Sequence, residues 1–316
     1  WLALGGRTRA ATLVAWVLVV SLWNRNPLVC NYGDSLLRML LFWGFFLPWG
    51  ATWSLDWLAD LRRGRADGRP RAVCSWASAA ILLQLTLVYL FGGLWKWNAD
   101  WLEGRALYHA LHLEYAARPS ALWFARHEWL LPPLTQATLL LELVGPLAIW
   151  SPWRTTPLRL FSLVCFVALH VGIELFFSPV YLSYICVFAW SLFLPTSFWE
   201  WKPLRLTIGR WERWLVRRIG RTSPALSSSG CEVAAANGAW RAERIVLGQT
   251  PFLNGACLFF LLYVVAWNVA TFDPRAGKFF PKPLRHLGYC AMIWQTWDMF
   301  YVPARHNGWF LSLIHI

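Results

Sequence analysis

Apolar residues in this chain come in seven blocks separated by polar stretches. The blocks run from Ala10 to Trp23, Ser35 to Thr52, Ala72 to Trp95, Leu134 to Trp150, Leu158 to Phe177, Val180 to Leu194 and Phe252 to Thr271. A helix needs about 20 mostly apolar residues to cross the hydrocarbon layer, so the pattern predicts an all-α polytopic membrane protein, a bundle of about seven transmembrane helices. The first block is clipped by the start of the chain. The sixth, at under about 20 residues, calls for tilt, local thinning or burial inside the bundle.

The loops between the blocks alternate in charge. Leu61 to Arg71 carries five Arg and one Asp, and arginine-rich loops stay in the cytoplasm. Alternation then puts the turn with Arg154 and the loop from Thr196 to Pro251 inside; the latter holds Lys202, Arg205, Arg210, Arg213, Arg217, Arg218 and Arg221. The opposite side receives Asn24 to Asp34, the charge-balanced loop from Lys96 to Pro133, and everything after Thr271. The reading gives a multi-pass cell-membrane protein: a bundle over 1–195, a cytoplasmic segment over 196–251, a final span over 252–271, a partial extracytoplasmic segment over 272–310 and a non-native tail over 311–316. Within the cytoplasmic segment, Trp201, Leu204, Ile208, Trp211, Leu215 and Ile219 recur at helical spacing between arginines, which predicts a helix in the headgroup layer. A Ser/Ala/Gly-rich linker follows at Thr222 to Gly238.

Composition strengthens this picture. Hydrophobic residues make up 58% of the chain, charged residues only 14%, and there are 25 Trp, a residue that collects where hydrocarbon meets headgroups. The net charge of +13 would point a soluble protein toward nucleic acid, but the arginines sit in short loops and form no basic stripe with exposed aromatics. Topology explains the charge, nucleic acid is excluded, and membrane lipid is the first partner.

The densest candidate chemistry lies at the end of the third block, Tyr89-Leu-Phe-Gly-Gly-Leu-Trp-Lys-Trp-Asn-Ala-Asp-Trp-Leu-Glu-Gly104. Lys96 has two readings. As a snorkelling lysine it marks a helix end, with Asp100 and Glu103 as counterweight. As a lysine desolvated by Trp95 and Trp97 it is a general base working through its neutral amine. Gly92 and Gly93 would let a flat ligand or a neighbouring helix approach closely. A base needs an apolar cavity at its side, expected here between the second and third spans and touched by Asn31.

Three more ionisable groups fall inside the predicted bundle: Glu142 on the fourth span, and His170 and Glu174 one turn apart on the fifth. They read as polar glue between helices, as ligand-contacting or proton-relay groups, or as a metal trio, with metal the least favoured. His109 and His112 lack a third ligand at recognisable spacing, so no metal is predicted. Asp34 and Arg38, also one turn apart, read as a structural ion pair.

Taken in order, several segments resemble the horizontally transferred transmembrane domain family, whose relatives include the vitamin K-dependent gamma-glutamyl carboxylases. They are Arg25-Asn-Pro27, Gly33-Asp-Ser-Leu-Leu-Arg38, the Lys96 segment, Leu141-Glu-Leu-Val-Gly-Pro146, Leu169-His-Val-Gly-Ile-Glu174 and Trp294-Gln-Thr-Trp-Asp-Met-Phe300. The resemblance implies that Lys96 is the lysine that deprotonates reduced vitamin K or another quinol. Oxygen then makes the quinol a strong base that removes a gamma proton from a peptide glutamate, to which carbon dioxide adds. His170 falls on a histidine the carboxylases also have, and Asn31 on one of their asparagines. The carboxylases carry a further histidine just after that asparagine pair, where this chain reads Cys30-Asn-Tyr-Gly-Asp-Ser35. Lys96, His170 and Asn31 are thus the candidate catalytic residues. Gly92, Gly93, Trp95, Trp97, Asp100, Glu142 and Glu174 are the candidate binding residues. The rival reading is a non-catalytic membrane protein that binds a lipid or a protein partner.

The orientation is checked by single-cysteine labelling with the native cysteines removed. Position 66 is expected to react only after permeabilisation and position 118 from outside; the reverse pattern overturns the assignment.

Overall fold

A computed structural model describes residues 1–26, 30–51, 54–63, 71–114, 116–178, 181–199, 201–204, 206–207, 210–211, 214, 243–245 and 250–301. In chain order the helices are α1 (Thr8–Arg25), α2 (Tyr32–Phe45), α3 (Leu55–Arg62), α4 (Trp76–Trp95), α5 (Ala99–Leu102), α6 (Ala106–Leu111) and α7 (Pro119–Ala125). They continue with α8 (Leu131–Ile149), α9 (Thr155–Phe176), α10 (Leu182–Trp190), α11 (Thr196–Trp199), α12 (Pro251–Phe272), α13 (Pro274–Phe279) and α14 (Lys282–Cys290). Tight 3-10 turns at Glu128–Leu130 and Ser191–Phe193 lengthen α8 and α10. Among the described residues the only strands are β1 (Arg71–Val73) and β2 (Glu243–Ile245), paired in parallel. Most of the predicted basic helix after Trp199, the linker and the tail lie outside the described residues.

Among the described residues four helices are long and apolar enough to cross a membrane: α4, Glu128–Ile149, α9 and α12. The other three predicted spans are lesser helices. α1 carries Arg9 and Arg25 within its 18 residues, and α10 with its 3-10 turn covers only Leu182–Phe193. α2 is 14 residues long, about 21 Å at 1.5 Å per residue. It stops before Pro48, which cannot donate to a helix and holds the preceding residue out of helical conformation.

Helix α4 is the axle of the bundle. Of its apolar window 61% is buried, against 22–33% in the other three, as expected of a sequence apolar on every face. Ser75 starts it through a reciprocal capping box with Ser78. α2, α8 and α12 pack directly on it, α9 and α10 continue the ring, and α1 lies on α2. The approach of α4 to α8 rests on Gly93: a Cβ there would sit 3.0 Å from the Leu143 side chain and 3.2 Å from the Glu142 backbone.

The stretch from 96 to 133, read from sequence as an open loop, folds into α5, α6 and α7. These build a small core of Ala110, Leu111, Ala121, Ala125 and Leu131 against Phe177. More unexpected is the segment after α14. Instead of standing apart from the bundle it turns back into it, burying Ile293, Gln295 and Trp297 at 0%, 0% and 4% exposure. Gln295 accepts hydrogen bonds from Gln84 (2.6 Å) and Trp297 (2.8 Å) through its side-chain oxygen, and from Trp267 (3.0 Å) through its backbone oxygen. Gln84, fully buried on α4, also accepts from Trp43. Met292 and Phe300, near the two ends of the segment, hold left-handed backbone angles of 51° and 56°. Surroundings must over-determine such a conformation for it to persist.

At the other end of the bundle, Asp56 of α3 accepts from the backbone of Arg7 (2.7 Å) and Thr8 (2.9 Å) at the start of α1. Desolvation alone would raise its pKa, but these bonds outweigh it and hold the carboxyl below the ordinary 3.8.

Two stability predictions follow from this packing. Gly93→Leu is expected to cost about 1–3 kcal/mol through overpacking, whereas Gly92→Ala, whose Cβ would meet neighbours only at 3.6 Å or more, stays within about 1 kcal/mol of wild type. Thermal unfolding in one detergent compares them. Asp56→Ala is expected to lose about 1 kcal/mol of capping. Because the folded state lowers this carboxyl's pKa, its contribution is present above the unfolded value and disappears as pH falls through the folded one. The gap between variant and wild type therefore narrows below about pH 4; a gap unchanged by acid refutes the cap.

Candidate functional site

Lys96 closes α4 as its C-terminal cap, the position from which a lysine ordinarily reaches for headgroups. Here it turns inward. Its Nζ donates to Glu142 Oε2 at 2.5 Å, and the two residues are 4% and 7% exposed. The snorkelling reading is therefore replaced by a buried ion pair between α4 and α8. Trp95 and Trp97 do not enclose the amine as expected. Trp97 is exposed, and Trp95 packs edge-on against Phe272 and Tyr301. The ring over the amine belongs to Trp101, 5.3 Å away, brought there by the turn into α5 and held by its own bond to the Phe300 carbonyl at 2.9 Å.

The glycines before Lys96 divide their work. Gly93 lets α8 come close. Gly92 faces the pair itself: a Cβ built there would lie 3.6 Å from Glu142 Oε2, 3.8 Å from Lys96 Nζ and 3.6 Å from the Trp297 carbonyl. The inserted segment 292–301 thus reaches the ion pair. On the other face of the α4–α8 contact, Leu94, Trp97, Leu143 and Phe272 line an open apolar groove of about 440 Å³. The groove lies between the third, fourth and seventh predicted spans, not between the second and third.

His170 lies deeper, 3% exposed, with Nε2 2.5 Å from the Tyr89 hydroxyl. Its Nδ1 is buried without a hydrogen-bond partner among the described residues. Tyr89 also packs on Phe166 and Trp190. Tyr89 stands seven positions before Lys96, about two turns along α4, so the two pairs lie along one face of that helix. Tyr89 stood inside the candidate segment without being singled out; only the depth of α9 against α4 reveals its partner.

The remaining candidates lie elsewhere. Glu174 turns away from His170 to Arg118 Nη2 at 2.7 Å. Asp100 is buried and binds Arg105 at 3.2 Å. Among the described residues no three His, Cys, Asp or Glu side chains could hold a metal ion. Asn31 is the N-cap of α2: its side chain accepts from Gly33, while Asp34 accepts from the Asn31 backbone. Asp34 also accepts from the Tyr181 hydroxyl. The expected Asp34–Arg38 ion pair is accordingly not formed. Arg38 is fully buried, donates to the Trp294 carbonyl at 2.6 Å and lies 4.8 and 4.9 Å from the Trp23 and Trp294 rings.

No curated protein and no solved structure matches this chain. A family model described as the HTTM domain does match, over residues 25–199. That range holds Tyr89, Lys96, Glu142 and His170 but ends before the inserted segment. The matched range is more than half of the 316 residues, and the chain belongs to the HTTM domain family of membrane proteins.

Proposed function

We propose that this protein is a membrane-embedded enzyme of quinol-linked oxidation, with the Lys96–Glu142 pair as proton acceptor and that end of the bundle facing outside. The observation that carries the reading is an amine and a carboxylate 2.5 Å apart and almost sealed from solvent, with an apolar groove on the other face of the same α4–α8 contact. Such a groove is within the size of small-molecule sites. Leu94, Trp97, Leu143 and Phe272 fit the apolar body of a quinol such as reduced vitamin K, and its hydroxyl is assigned to Lys96 across that contact. A bound reduced quinone supplies the electrons that oxygen takes up.

The chain supplies proton handling. Lys96 Nζ donates to Glu142 Oε2, so the bond between them is a path along which a proton can pass. Shifting it onto Glu142 frees the amine to accept a hydroxyl proton, and Glu142 then stays beside the new ammonium. Trp101 steadies that cation by its ring face. Tyr89 on α4 and His170 on α9 offer a second proton-carrying pair. Carboxylation of a peptide glutamate is the weaker half of the reading, because no histidine accompanies Asn31 and the Asp34 carboxylate is already engaged.

The rival is a non-catalytic protein that binds a lipid or protein partner, favoured by the fact that the same ion pair locks α4 to α8. Removing one member of a buried pair costs about 3–5 kcal/mol, so folding must be measured together with activity. Quinol oxidation by the purified chain in lipid is expected to fall about 10²-fold or more in Lys96→Ala. Lys96→Arg, which keeps the charge but does not release its proton, should fall equally. Equal oxidation by wild type and a folded Lys96→Arg removes the lysine base and leaves the structural lock. Strong glutamate carboxylation by the wild type would assign the vacant histidine role to another group, with His170 the nearest choice.

A further inference from the structure

Arg38 is the buried cation that the proposed chemistry does not use. Lys96 has Glu142, Arg105 has Asp100 and Glu103, and Arg118 has Glu174. Arg38, at 0% exposure, has no carboxylate within salt-bridge distance among the described residues. A guanidinium carries five N–H donors, and here one bond is made, to the Trp294 carbonyl. Nε and Nη1 are buried without partners among the described residues. Both atoms are donors, so what the site lacks is an acceptor.

Nearby anions do not fill that role. Asp34, one turn earlier, is committed to the Asn31 backbone and the Tyr181 hydroxyl. Cys30 is a free thiol that bonds the Asn26 carbonyl at 3.5 Å. What surrounds the guanidinium is aromatic: Trp23 at the end of α1 and Trp294, their rings 5.6 Å apart and nearly perpendicular. Two cation–π contacts soften the charge but make no hydrogen bonds. An uncompensated buried cation in a membrane bundle marks a functional site in the first instance, and a planar fork of donors suits carboxylate and phosphate oxygens.

We propose that Arg38 is the anchor of an oxyanion site, binding a phosphate or carboxylate group under a gate formed by Trp23 and Trp294. Both indoles touch the guanidinium and are themselves only half-buried. Arg38 stands about 9 Å along α2 from Tyr32, at the end of the bundle where α1 finishes on Arg25. Headgroup phosphates gather at such an end, and dissolved anions reach it too. Both sources present the same oxygens. Rotation of one indole exposes Nε and Nη1, and the bound oxyanion then satisfies donors that the closed state leaves unmet.

The test uses the 316-residue chain, stripped of lipid and placed in phosphatidylcholine nanodiscs. Its unfolding midpoint is followed at constant ionic strength with chloride replaced by phosphate or by formate, and separately with phosphatidylglycerol added to the bilayer. The wild type is expected to rise by about 2 °C or more in at least one arm. A rise with the dissolved ions supports the site and identifies a soluble oxyanion; a rise with phosphatidylglycerol alone supports it and identifies a headgroup. In Arg38→Met the rise is expected to vanish. Where that variant does not fold, Arg38→Lys carries the comparison, since a point ammonium lacks the fork, and a tenfold higher half-saturating concentration is expected. No rise in any wild-type arm, or the same rise in the Arg38 variant, overturns the proposal.

Discussion

A lysine at the end of a membrane helix can satisfy its charge in two ways, by reaching out to water and headgroups or by finding a carboxylate inside. Lys96 takes the second course, and much else depends on it. Its ammonium is buried only because Glu142 of α8 stands 2.5 Å away, and Glu142 stands there only because Gly93 lets α8 come within van der Waals reach of α4. In a low-dielectric interior an unpaired member of such a pair is costly, so the pair fixes the register of the two helices as firmly as their apolar packing does. In the proposed function the structural lock and the proton-handling site are the same object. Separating the two roles requires a substitution that keeps the charge but does not release a proton.

The inserted segment 292–301 ties this centre to the rest of the fold. Its backbone oxygens serve as acceptors for four side chains of the bundle: Arg38 on α2, Trp267 on α12, Trp101 on α5 and Asn98 at the start of α5. Its side chains add Gln295 to Gln84 and Asp298 to Tyr32. A segment without helical bonds of its own can lie inside a membrane bundle only when protein groups satisfy its backbone, and these bonds do so. The result is a roof of irregular chain over the ends of α2 and α4, with the Trp297 carbonyl beside the ion pair and Trp294 over Arg38.

Much of the architecture was legible before any coordinates. Apolar blocks of about the right length marked the four long helices, because lipid demands that length and leaves no other backbone structure open. The apolar blocks begin at Ser35 and Ala72, close to the observed starts, but did not single out Asn31 and Ser75 as the caps of those helices. Lys96, Glu142 and His170 could be picked out because ionisable groups inside apolar blocks are conspicuous. What that reasoning missed has a common cause. Tyr89, Trp101 and Gln84 are ordinary residues in their local sequence, and each becomes significant through a partner on another element, 81, 199 and 211 positions away.

The same limit explains the misplaced partners. Residues one turn apart share a helix face, so Asp34 with Arg38 and His170 with Glu174 were natural pairs on paper. The bundle instead offers each a better neighbour across space: Tyr181 for Asp34, Trp294 for Arg38, Tyr89 for His170 and Arg118 for Glu174. The sequence by itself determined that this chain lives in a membrane, where its long helices run and which polar groups they carry into the apolar interior, because hydrophobic length and buried charge are properties of a one-dimensional string. Only the tertiary structure decided which of those groups meet, since hydrogen bonds and ion pairs depend on distances of a few ångströms between helices whose rotation and depth are set by packing on every side at once.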